Sequence, residues 1–108
     1  MKGWSAALAG EMQTWPQVRS RAFFGFTALY RRDKIFALLP RTRALDTPNS
    51  VAFKLESPTK RMLARVQRDP RLGFADLQKT RWFTFEVADD KDLRAALDWF
   101  GQAYDRAG

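Results

Sequence analysis

Apolar residues recur along this chain with two different periods. Trp4, Leu8 and Met12 fall at i, i+4 and i+8, a helical stripe with Trp15 just past its end and Pro16 as its stop. Large aromatics dominate core burial, so both tryptophans are expected as core anchors. The run from Phe23 to Tyr30 is rich in aromatic residues and reads as one strand. Phe24, Phe26, Ala28 and Tyr30 would share one face of it. Both faces are largely apolar, which predicts a central strand covered on two sides, with Gly25 marking a bulge or a close backbone approach.

Arg31 to Lys34 then interrupts the pattern as a turn, and Ile35 to Leu39 forms the second strand of a hairpin that ends at Pro40. A loop with Pro48-Asn49 as its turn signal leads to a third strand, Val51 to Leu55. Ser57-Pro58 predicts a helix start with Ser57 as the cap, and Met62, Leu63 and Val66 give that helix its apolar stripe up to Asp69-Pro70. Residues 71–80 are irregular, with a short edge strand expected around Phe74, and Arg81 to Val87 alternates as the last strand. Asp89 or Asp90 caps a C-terminal helix whose stripe is Leu93, Ala96, Leu97, Phe100 and Tyr104.

This order predicts a single α+β domain over residues 1–108. Its antiparallel sheet has about four to five strands, with an N-terminal, a middle and a C-terminal helix.

Composition narrows the chemistry. The 108 residues include no cysteine and no histidine. That removes disulfides, thiolate nucleophiles, zinc–thiolate sites and His-based acid–base dyads. No Gly-rich phosphate loop precedes a helix. Asp89, Asp90 and Asp92 cluster at a helix start, where carboxylates serve as caps. The expectation is a non-enzymatic binding domain with no cofactor, no metal and no catalytic residue. No secretory leader or membrane-spanning run is visible, so a cytoplasmic location and no membrane partner are expected.

Charge sharpens the picture. The net charge is +7, made of +2 over residues 1–30, +8 over residues 31–81 and −3 over residues 82–108. A basic domain of this size is a candidate for DNA or RNA. The candidate phosphate-binding residues are Arg31, Arg32 and Lys34 at the hairpin turn, Arg41 and Arg43 in the following loop, Lys60, Arg61 and Arg65 on the middle helix, and Lys79 and Arg81 before the last strand. Tyr30 and Trp82 are candidates for stacking on bases. If Arg31, Arg32, Arg41 and Arg43 gather at adjacent loop ends, they form one phosphate-binding cluster. The alternative is a protein-interaction or chaperone-like module acting on a protein partner or on itself as a homodimer.

The block Arg21-Ala22-Phe23-Phe24-Gly25-Phe26-Thr27-Ala28-Leu29-Tyr30-Arg31-Arg32-Asp33-Lys34-Ile35-Phe36-Ala37 resembles the opening of the TfoX N-terminal domain family. Val51-Ala52-Phe53-Lys54 is similar to that family's next strand, and Arg81-Trp82 through Leu97-Asp98-Trp99 and Ala103-Tyr104 is similar to the related MmcQ/YjbR-type domains. Phe26 stands where the family pattern prefers a second glycine, and the Pro48-Asn49 loop is longer than usual. The resemblance implies a curved antiparallel sheet packed on helices, as in secretion chaperones. It also implies a family with links to competence regulation and suspected DNA binding, and it carries no catalytic residues.

Overall fold

The structure is a computed structural model that describes residues 3–42, 49–70, 72–73 and 82–108. Helix α1 (Gly3–Gln13) leads into strands β1 (Val18–Phe23), β2 (Phe26–Arg31), β3 (Lys34–Pro40) and β4 (Ser50–Lys54). Helix α2 (Lys60–Arg68), the two-residue β5 (Leu72–Gly73), β6 (Trp82–Glu86) and helix α3 (Asp90–Arg106) complete it. The strands form one antiparallel sheet in the order β1-β2-β3-β4-β6-β5. The expected α+β architecture with its three helices is thus the one found. The expected edge strand at Phe74 lies outside the described residues.

The aromatic run is divided differently from its sequence reading. It is the hinge of a hairpin, with β1 ending at Phe23 and β2 beginning at Phe26. Phe24 and Gly25 form the two-residue turn, with φ of 47° and 88°. Two successive left-handed residues define a type I′ turn, whose twist matches that of the flanking strands. Phe23 and Phe26 therefore face each other across the turn. Strand β1 itself carries no apolar stripe: Arg19 to Phe23 are all exposed, and only Val18 is half-buried.

Helices α1 and α3 cover one side of the sheet. Leu8, Ala9 and Met12 of α1 are buried there, and the buried Ser5 hydroxyl donates to the Pro40 carbonyl at 2.9 Å. Between β2 and β3 the register shifts after Leu29, which leaves Phe36 as an extra residue. Phe36 and Ala37 are consequently both buried on the helix side, although they are neighbours in sequence. Phe36 lies 6.4 Å from the Trp15 ring and 5.8 Å from the Tyr104 ring. A second aromatic group centres on Phe53, stacked 5.6 Å from Phe83 and 5.3 Å from Trp99. Each such side chain contributes about 1.5–3 kcal/mol on burial.

Two helix boundaries follow from local chemistry. Helix α2 is capped by Thr59, whose hydroxyl accepts from the Met62 amide at 3.1 Å, and not by Ser57. Ser57 is left-handed (φ 47°), and its carbonyl accepts from the Arg106 guanidinium. Arg106 also donates to the Glu56 carbonyl at 2.9 Å, so α3 fastens the link between β4 and α2. At α3, Asp89 accepts from the Lys91 and Asp92 amides, while Asp92 accepts from Ala88 and Asp89. This capping box assigns Asp89 and Asp92 a structural role. The buried stripe of α3 is Asp92, Ala96, Trp99, Phe100 and Ala103, with Leu93, Leu97 and Tyr104 half-buried at its flanks. That is a rotation of the stripe expected from the sequence.

Candidate nucleic-acid interface

Strand register decides which basic side chains meet. Arg19 pairs with Tyr30 and Arg21 with Ala28, so Arg19 and Arg21 share Tyr30's face of the sheet. Leu29, the next residue along, is fully buried on the side of the helices, which places Tyr30 on the opposite, outer face. The β2–β3 turn adds Arg32, held left-handed at φ 58°, with its amide donating to the Gln17 carbonyl at 3.0 Å. Arg19, Arg21, Tyr30, Arg32 and Asp33 line a recess of about 180 Å³. It adjoins a more open recess of about 530 Å³ that shares Arg19, Arg32 and Asp33 and adds Gln17. The three arginines are exposed and Tyr30 is half-buried. Three guanidinium groups against the Asp33 carboxylate leave a positive field around an aromatic ring.

Arg31 has a different task. It faces the helices, where its Nη1 donates to the Tyr104 carbonyl at 2.9 Å and its Cζ sits 4.2 Å from the centre of the Tyr104 ring. Its Nε is buried with no hydrogen-bond partner among the described residues. A Cβ built on Gly108 would collide with this guanidinium, so the end of α3 closes directly over it. Arg31 ties β2 to α3 and does not reach the outer face. Lys34 pairs with Arg31 across the turn and lies on the same helix side, where it is exposed.

Of the expected cluster of Arg31, Arg32, Arg41 and Arg43, the three described members, Arg31, Arg32 and Arg41, do not come together. Arg41 is exposed at the other end of the β1–β2 hairpin, where its amide and that of Thr42 donate to the Gly25 carbonyl at 3.2 Å and 2.8 Å. A strand of six residues separates it from Arg32 by roughly 17–20 Å. Trp82 shares the outer face with Tyr30 but pairs with Lys54, three strands away, about 14 Å across the sheet. Lys54 is engaged with Glu56 at 3.1 Å. Arg43, Lys79 and Arg81 lie outside the described residues.

Helix α2 carries Lys60, Arg61, Arg65 and Arg68 on its exposed surface. Arg65 stacks 5.0 Å over the Trp99 ring, and Arg65 and Arg68 share an open cleft of about 580 Å³ with Asp69 and Asp98. Two cations against two carboxylates make this cleft close to neutral. It is a weaker anion site than the outer face of β1 and β2.

Sequence reasoning misses Arg19 and Arg21, because residues 18–23 show no apolar periodicity. Their signal was the i, i+2 spacing of two arginines running into Phe-Phe-Gly, which fits a solvent-facing strand entering a tight turn. Among the described residues no helix is long and apolar enough to cross a membrane. No family model, curated protein or solved structure matches the chain.

Proposed function

We propose that this chain is a small, non-catalytic, regulatory domain that binds DNA or RNA through the outer face of β1 and β2, in keeping with its resemblance to TfoX N-terminal domains. The observation that carries this reading is the convergence of three exposed arginines, Arg19, Arg21 and Arg32, around the half-buried ring of Tyr30. Arginine forks bind phosphate oxygens bidentately, and a neighbouring aromatic ring offers a surface for a base.

Three phosphate contacts predict a salt dependence. The slope of log K against log[salt] should be near −2.7 for duplex DNA and about −2 for single strands. The test is a salt titration by fluorescence anisotropy on the parent and on Arg19→Ala/Arg21→Ala/Arg32→Asn. Asn at the last position tolerates the left-handed turn while removing the charge. The triple variant should lose most of the affinity and flatten the slope. Lys60→Ala/Arg61→Ala on α2 should leave both unchanged. A parent that binds nothing at low salt, or a loss of binding confined to the α2 variant, would overturn the assignment.

A further inference from the structure

The β1–β2 hairpin ends in an exposed aromatic pair. Phe24 is 77% exposed and Phe23 39% exposed, and their rings meet edge to face at 4.8 Å. Phe24 also adopts φ 47°, a left-handed conformation that costs a Phe side chain energy and that Asn or Gly would adopt readily. Stability alone would therefore select a different residue here. The tip is also held firmly: the Arg41 and Thr42 amides both donate to the Gly25 carbonyl, clamping the turn from behind. A large apolar ring is thus displayed to solvent, in an unfavourable backbone state, on a braced support.

The charges around the tip indicate what it meets. Arg21 lies two residues before Phe23 on the same face of β1, about 6.6 Å along the strand, and Arg19 continues that row. Arg41 is exposed on the other side of the turn. An aromatic pair with guanidinium groups on both sides matches a chain of phosphates carrying unstacked bases. A fully paired duplex hides its base faces and would leave the rings without a partner.

Building on the nucleic-acid reading above, we infer that the ligand is single-stranded nucleic acid and that Phe24, supported by Phe23, is the stacking residue at the hairpin tip. Arg21 and Arg41 hold the backbone on either side of the stacked base. Tyr30 then marks the far end of the same track.

The experiment compares a single-stranded oligonucleotide of about ten nucleotides with a hairpin duplex of equal phosphate count, by anisotropy at constant salt. One stacked base corresponds to roughly a 5- to 150-fold gain in affinity. The parent should prefer the single strand by at least the lower figure. Phe24→Asn should lose that preference, keep its duplex affinity and melt at the same or a higher temperature, because Asn-Gly suits the turn. Phe24→Tyr should restore the preference. Equal binding of both ligands by the parent, with Phe24→Asn unchanged, would overturn the inference and leave the nucleic-acid reading standing. A parent that binds neither ligand would overturn both. Phe24-dependent binding to phosphatidylglycerol vesicles in place of oligonucleotide, or Phe24-dependent dimerisation in sedimentation, would likewise overturn it and assign the tip to lipid or to a second copy.

Discussion

Arg31 and Arg32 are neighbours with the same side chain, and the fold uses them in opposite ways. Arg32 enters the turn and faces solvent, while Arg31 is drawn inward over Tyr104. Composition cannot separate them. The alternation of β2 can, because Leu29 and Arg31 share the helix side. Arg31→Met should keep the aliphatic packing but lose the ring contact and the bond to the Tyr104 carbonyl. Urea denaturation should show a loss of about 1–3 kcal/mol. The salt slope for nucleic acid should not change, since Arg31 does not reach the outer face. A variant as stable as the parent would show that the tie contributes nothing.

Among the elements, those with an apolar stripe were legible and the one without was not. Helix α3 was expected from its spacing and from the aspartates at its start, and both are present. The phase of its buried stripe was not legible. Leu97 and Trp99 are both apolar, and it is Phe53 beneath the helix, with Arg65 over the ring and Asp69 accepting from its Nε1, that selects Trp99 for burial. Phe100→Ala should therefore cost about 3–5 kcal/mol, while Leu97→Ala should cost under about 2 kcal/mol. Asp89→Ala removes the cap and should cost about 1 kcal/mol. All three are measured by urea denaturation at constant slope. Strand β1 is exposed on both sides and so carries no hydrophobic alternation in its sequence. Its existence depends on pairing with β2, and the i, i+2 arginines before Phe-Phe-Gly are its one local trace in the sequence.

For the molecule as a whole, segmental charge points to residues 31–81, yet among the described residues the fold disperses that excess. Some of it lies on α2 beside Asp69 and Asp98, some at the tip beside Gly25, and Arg31 lies inside. Two of the three arginines in the candidate site come instead from residues 1–30, whose net charge is only +2. Proximity across a sheet, not density along the chain, decides where a field accumulates. Regional counts therefore expressed the sign of the surface and not its location.

Strand β1 also closes one border of the sheet, and a border strand is an open template on which further strands can add. Two copies meeting there antiparallel about Ser20 would set Arg19 of each directly against Arg21 of the other, a like-charge pairing that repels. The arginines proposed to hold phosphates would thus also oppose the edge-to-edge pairing of two copies. Replacing them with neutral β-formers, as in Arg19→Thr/Arg21→Thr, should raise the dimer fraction in sedimentation velocity at moderate salt, while the parent stays monomeric. Salt near 1 M, which shortens the screening length to about 3 Å, should move the parent in the same direction. A double variant as monomeric as the parent would show that this border is guarded by something other than charge.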